Sequence, residues 1–552
     1  MDTEQPEKRK RGRPRKNKLT GKATTASETV KSPHDFLNAS QFEKIYLNEK
    51  NPISLYGASR STNNFDMRSL HFHGLRDEFV ETLHKIWQKD FDSGILPVNG
   101  ELDHSNKIQL PSIDDIKIHP SSKEAFQKIG LKGTIKFDNT EMIVGSMKHF
   151  PITDSFRRGV VINTGGLPLV MKWCPLHIGN KKYLFVNVVP NLEGKSVVSR
   201  IAEAEFNYNR QSTLLIYECS FTGEESSCIK LKKRIILPHS IKEMHFLQQS
   251  PIEDETLMIY VDSNGSVQVW KINHELLTSK DIYTTVTPSM ILKTVNPITT
   301  ATFTSPSTIL CGCSYGLLAH FTIPNLEADF VLPTRLSTIT AIQSSYPTEP
   351  STTLLATTDF TCYMLPTPSP SSSPLLPPTL TECGSLRDLL FHPRLLYNPQ
   401  IEAFTLSEWP VILRLMTARD PVSSQRAKIP SGEVWSLGSS PSGLVTIGMT
   451  NGTLALINWW NWLASEDRKQ IPGCLILYRL TKSKDQWNLD LNYKIEDSKG
   501  AANEGIRKKQ KSSREVRKIN LNEECVLGCG MEEGIVGCVW GNGMLVIEEL
   551  IY

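Results

Sequence analysis

The residues with the most evident chemistry stand at the start of the chain, in "KRKRGRPRK". Lys8, Arg9, Lys10, Arg11, Arg13, Arg15 and Lys16 are cationic, and Gly12 and Pro14 alternate with the arginines. Glycine lets a backbone lie on the floor of a narrow minor groove, and proline keeps the strand extended. Arg11 and Arg13 can then run along the groove, where the potential of A·T tracts is most negative. The flanking Lys8, Arg9, Lys10, Arg15 and Lys16 suit phosphate contacts, which depend on salt and ignore sequence. A nuclear-import signal asks only for a run of Lys and Arg, so the same stretch serves that use too. A second cationic segment combines Arg507, Lys508, Lys509, Lys511, Arg514, Arg517 and Lys518 with one acid, Glu515. It reads either as a solvated loop or as a secondary phosphate contact.

The charge is unevenly placed. Residues 1–33 hold ten Lys/Arg against four Asp/Glu, a net +6, so the remaining 51 basic and 54 acidic residues net −3. A basic arm on a near-neutral body places polyanion contact in the arm. Hydrophobic residues make up 39% of the 552, which suits a globular protein too long for one ordinary core. No run of some 18 apolar residues suggests a membrane span, and no apolar leader is seen. Eleven cysteines without framework spacing fit reduced thiols in a cytosolic or nuclear protein.

Catalytic motifs are not found. The sequence lacks a Gly-rich phosphate loop ending in Lys-Ser/Thr, a G-x-S-x-G elbow and an H-E-x-x-H pair. His71 and His73 flank Phe72 with no companion ligands at useful spacing. Cys311 and Cys313 share one side of an expected core strand. Cys525, Cys529 and Cys538 have no finger spacing and no intervening histidines. We therefore expect no catalytic residues, no metal and no cofactor.

The elements that must carry the basic arm are repeats. "VDSNGSVQVW" (Val261 to Trp270) reads as a strand, a two-residue turn at Asn264-Gly265 with positive φ angles, and an alternating strand that buries Trp270. Similar marks fall at Gly316, Gly452 and Gly543, with weaker ones near Ser212, Thr361 and Ser407. Their separations are 53, 51, 45, 46, 45 and 91 residues. A period of 40–50 with apolar/polar alternation indicates a β-propeller with one four-stranded blade per period. Seven marks predict seven blades, the last interval carrying an insertion at 482–518.

The fold class expected is thus all-β: a seven-bladed, WD40-like propeller over 140–552. A disordered basic tail (1–34) and a mixed, partly helical module (35–139) precede it. After "MLVIEEL" the chain ends without an outer strand for the last blade, and "GVVINTG" (Gly159 to Gly165) is the candidate to supply it. Removing the last dozen residues should then unfold the ring. "PTPSPSSSPLLPP" (366–378) is expected as a loop between blades, since proline lacks the ladder donor. In 76–91, Phe79, Leu83, Ile86, Trp87 and Phe91 share a helical face suited to packing on the ring.

The segment Lys10 to Lys16 resembles the AT-hook. The whole arrangement resembles the WD-repeat subunit family of transcription factor IIIC, the RNA polymerase III general factor, in its fungal form. The resemblance rests on the tail–module–propeller order, on "NTGGLPLVMKWCP" (Asn163 to Pro175) and on "GIVGCVWGNGMLVIEEL" (Gly534 to Leu550). A clear W-x-P-N turn before the last hairpin is missing. The resemblance implies a nuclear, non-enzymatic scaffold in the subcomplex that recognises the internal promoter of transfer RNA genes. It would bind the large DNA-contacting subunit and a second WD-type subunit, while the tail lends weak affinity for the A·T-rich minor groove. No membrane partner is expected. The alternative is a chromatin-associated WD-repeat scaffold or histone-tail reader, and a third class is a propeller hydrolase.

Overall fold

In the computed structural model the described residues are 110–149, 157–190, 210–222, 226–247, 255–279, 281–346, 351–368, 380–385, 394–398, 403–409, 412–417, 424–429, 432–439, 444–458, 474–483, 486–490, 494–496, 525–532 and 535–550. Strands dominate them, because apolar residues alternate with polar ones or run continuously in short β-branched segments bounded by turns. The strands form an all-β, propeller-like ring. Six sheets each contain four antiparallel strands in chain order, and only in the second does an intervening strand, Tyr283–Thr287, leave to pair with the first sheet. The first runs from Leu167–Ile178 through Lys181–Val189 and Ser212–Thr222 to Ser226–Leu237. The second to sixth begin with Ile241–Phe246, Ile298–Ser305, Ile339–Ser344, Leu395–Asn398 and Val434–Ser439.

A further, composite sheet closes the circle. Val526–Glu532, Ile535–Trp540 and Met544–Leu550 come from the C-terminal end of the chain, and Arg157–Asn163 completes them from the other end. Met544 lies opposite Asn163 and Leu550 opposite Arg157 in an unshifted antiparallel register. This is the strand that the sequence offered for the purpose. The opening strand of every sheet packs beside the opening strands of its two neighbours, with Val526–Glu532 against both Leu167–Ile178 and Val434–Ser439. Gly537 leaves room at this seam, since a Cβ there would lie 3.3 Å from the Met171 Cε of the first sheet.

At Tyr315-Gly316 both residues are left-handed (φ 60° and 67°), as a two-residue turn requires, but the hairpins at Gly265, Gly452 and Gly543 differ from that form. At Asn264-Gly265 only the glycine is left-handed (φ 75°). Asp262 N–H donates to Ser266 O (3.0 Å), and Gly265 N–H donates to Asp262 O (3.1 Å). Three residues thus separate the closing pair, a type I turn followed by a left-handed glycine, which also matches strand twist. Gly452 and Gly543 repeat the bond, to Met449 O and Trp540 O. Phe360 occupies the equivalent place in the fourth sheet with φ 57° and donates to Thr357 O, which is why that mark is weak in sequence. Near Ser407 the mark is offset, because Ser407 lies inside the strand Ala403–Trp409.

Two further expectations are corrected or extended. Pro366 ends the strand Thr361–Pro366, whose partner Thr381–Ser385 belongs to the same sheet. The proline-rich segment therefore joins two strands of one sheet, not two blades, and Pro366 sits at a strand end where a missing donor is tolerated. Residues 117–149 form a belt on the rim. Lys117–Pro120 pairs with Tyr283–Thr287 beyond the first sheet. The hairpin Ile135–Phe137/Thr140–Met142 extends the sixth sheet, and Met147–His149 extends the composite one. The boundary expected at residue 140 thus falls inside a hairpin on the ring. Between them, the helix Lys123–Ile129 is capped by Ser122, whose Oγ accepts Ala125 N–H (3.1 Å). Its Phe126 meets Tyr283 at 5.5 Å between ring centres, with the Arg234 guanidinium 4.8 Å over it. The insertion at 482–518 begins as strand: Gln486–Asp490 and Lys494–Glu496 both pair with Cys474–Ser483.

Trp270 is fully buried between the first and second sheets, edge-on to Tyr260 with ring centres 5.5 Å apart. Replacing it with alanine is expected to lower unfolding stability by about 3–5 kcal/mol, as for other buried large aromatics. Chemical denaturation measures this; a loss below about 1 kcal/mol would contradict the packing described.

Candidate functional site

The sequence-derived DNA-binding residues Lys8, Arg9, Lys10, Arg11, Gly12, Arg13, Pro14, Arg15 and Lys16 lie outside the described residues. So do Arg507, Lys508, Lys509, Lys511, Arg514, Arg517 and Lys518, the aromatic face of 76–91, and His71 and His73. The described cysteines are thiols. Cys311, Cys313, Cys525, Cys529 and Cys538 are buried, and burial raises each of these thiols above its ordinary range. They are protonated core side chains, as expected for Cys311 and Cys313 from their alternation on a strand and for Cys525, Cys529 and Cys538 from their lack of finger spacing.

The polar side chains that the fold brings together lie on the ring's inner strands. Glu243, in Ile241–Phe246, is the centre of one group. Its Oε2 accepts the Thr300 hydroxyl (2.7 Å) and Ala301 N–H (3.3 Å) of the third sheet, and its Oε1 is 2.8 Å from His245 Nε2. Ile342 N–H of the fourth sheet donates to the same Thr300 hydroxyl (3.2 Å). A single threonine thus links three successive sheets. Burial alone would raise the Glu243 carboxyl. His245, Thr300 and Ala301 N–H outweigh it and hold the group below the usual glutamate range.

Cations stand nearby on the same wall. Lys172, in Leu167–Ile178, has its amine held below the usual lysine range by burial and the Arg394 charge, against the opposing pull of Glu243. The Arg394 guanidinium lies 5.4 Å over the Trp435 ring, joining the fifth sheet to the sixth. Ser436 Oγ donates to Val526 O (3.1 Å), joining the sixth to the composite sheet. Asn187 Oδ1 accepts Ile241 N–H (3.1 Å), joining the first to the second. These contacts join residues far apart in sequence, which hairpin marks do not reveal. The available signal was the polar alternation in first strands such as "IKEMHF" (241–246).

Chemically this wall holds successive sheets together. Among the described residues no group of three or more His, Cys, Asp or Glu is arranged to hold a metal ion, and no helix is long and apolar enough to cross a membrane. Comparison with protein-family models and with curated proteins finds no match to this chain.

The depressed Glu243 carboxyl has a pH consequence. A carboxyl lowered on folding stabilises the native state above its unfolded value, about 4.3, and that stabilisation is lost as pH falls through the folded value. Glu243→Gln is therefore expected to be less stable than wild type at pH 7 and to lose less on acidification from about pH 5 to 3. Denaturation midpoints against pH measure this; parallel curves would contradict the assignment.

Proposed function

We propose that the chain is a non-enzymatic scaffold subunit of transcription factor IIIC, built on a seven-bladed, WD40-like propeller in which each sheet of the ring, the composite one included, is one blade. The observation that carries this reading is the division of labour along the chain. A segment of seven cations in nine residues precedes a body of net −3 that folds as a ring of repeated sheets. A propeller takes its function from what it holds. Such a body suits protein partners, and the cationic tail suits DNA.

In this proposal the ring binds the large DNA-contacting subunit and a second WD-type subunit in the nucleus. Arg11 and Arg13 enter an A·T-rich minor groove while Lys8, Arg9, Lys10, Arg15 and Lys16 contact phosphates. The segment Arg507 to Lys518 adds secondary phosphate contacts. A single hook is weak, but attached to a complex already on DNA it acts at high effective concentration. The belt of residues 117–149 supports this arrangement, since it anchors the chain to the ring downstream of the tail.

The test is affinity purification of the full chain from nuclear extract with mass spectrometry of stable partners. Other transcription factor IIIC subunits are the expected result; histones or chromatin-remodelling subunits in their place would overturn it in favour of a chromatin scaffold. For the tail, Arg11→Ala with Arg13→Ala is expected to weaken binding to A·T-rich duplex and to flatten the salt dependence by about two phosphate contacts. An unchanged slope would remove the groove contact.

A further inference from the structure

The belt of residues 117–149 is part of a longer run of chain that seals the grooves between neighbouring sheets one after another. Ile135, Phe137 and Met142 are buried in the core shared by the sixth and composite sheets. Leu131 packs on the core shared by the composite and first sheets. Ile116 is buried between the first and second sheets, and Ile118 packs on the same core. Ile113 and Leu110 pack on the core between the second and third. Followed from residue 149 back to 110, the chain passes four successive grooves, and each holds apolar side chains of this run. Polar bonds fix it to the sheets it crosses: on the second, Asp115 accepts Lys271 Nζ (3.0 Å) and Asn273 Nδ2 (3.2 Å).

The described chain begins at Leu110, and the next surface in its path carries exposed apolar side chains. Phe330–Pro333 is the outermost strand of the third sheet, and among the described residues nothing pairs with its outer edge. Val331 in this strand is 47% exposed. It stands opposite Ala319, so the two share a face, and Ala319 is buried in the core on which Leu110 packs. Leu326, in the turn before the strand, is 61% exposed, while Ala328 two residues on packs on that same core. One groove further, the core between the third and fourth sheets includes no residue from 110–149. The sequence before Leu110 supplies apolar residues at Ile108, Leu102, Val98, Leu96 and Ile95 among polar ones, the composition the belt uses.

We propose that residues 95–109 continue the belt across the third sheet. Ile108 covers Val331 and Leu326 at the sheet's outer edge, and Leu102 fills the groove between the third and fourth sheets. Six residues separate Ile108 from Leu102, about 20 Å when extended. Three suffice between Ile113 and Ile116, which occupy adjacent grooves, so the span is ample. The chain itself is the favoured occupant because it is tethered at Leu110, already seated on the core that Val331 adjoins. A short tether holds it there at about millimolar effective concentration. An edge covered in this way does not recruit a strand of another chain. The segment upstream then leaves the ring at the groove between the third and fourth sheets, across the ring from the closing seam. The inference rests on the ring and its belt alone, whichever assembly the chain joins.

The test uses the full chain with p-benzoylphenylalanine in place of Val331, irradiated in dilute solution and digested for mass spectrometry. The expected product is an intramolecular cross-link to a peptide within 95–109. Cross-links only to other parts of the chain, cross-links to a second copy, or none at all would overturn the proposal. Hydrogen exchange gives an independent reading. Leu102→Asp combined with Ile108→Asp is expected to speed exchange of peptides covering 326–333 about tenfold or more, while Val434–Ser439 keeps its wild-type protection and reports an intact ring. Unchanged exchange at 326–333 in that variant would equally contradict it.

Discussion

The structure depends on one pairing between distant parts of the chain. Val526–Glu532, Ile535–Trp540 and Met544–Leu550 share a sheet with Arg157–Asn163, which comes from far earlier in the chain. The hydrogen bond from Thr164 Oγ1 to Gly543 O at this seam spans 379 residues of sequence. Closing a flexible loop of that length costs about 5 kcal/mol plus a constant. Val160, Val161, Ile162, Leu545, Val546 and Ile547 are all buried there, and such side chains gain about 1.5–3 kcal/mol each. Apolar burial therefore outweighs closure, and it removes two open sheet edges that would otherwise recruit other chains.

The seam also repeats a bond found inside the ring. Gly265 O accepts Ile298 N–H (3.0 Å), tying a hairpin of the second sheet to the start of the third. Gly543 O accepts Thr164 N–H (2.9 Å) in the corresponding place, where the chain leads from Arg157–Asn163 into the first sheet. Both glycines are left-handed and both are crowded, by Pro297 and by Gly166 respectively. The belt of residues 117–149 then crosses the first, sixth and composite sheets, the three that meet around the closure. With the circle fixed, the inner strands stand close enough for Glu243, Thr300 and Ile342 to join across three sheets.

Much of the ring was legible because hairpins leave local marks. Asn-Gly turns with flanking alternation announced themselves at Gly265, Gly452 and Gly543, and the orphaned "MLVIEEL" pointed to "GVVINTG". What was hidden obeys non-local rules. Phe360 takes a glycine position because its ring gains core packing, and nothing in the local sequence says so. The proline-rich segment looked like a boundary since proline interrupts a ladder anywhere, within a sheet or between sheets. Lys172, Glu243 and Arg394 are ordinary charges in sequence and become a group only when the opening strands converge. The tail's reading rests on residue type alone, and its residues lie outside those described.

The proposed scaffold role presupposes that the ring is a closed, rigid body. Amide hydrogen exchange of the full chain, followed by mass spectrometry of peptides covering 157–163 and 544–550, addresses that directly. The account predicts that both segments are protected to the same degree as Val434–Ser439 and open together in one cooperative step under mild denaturant. Rapid exchange of 157–163 while 544–550 stays protected would mean that the strand is not the ring's closing element, and the account would fail.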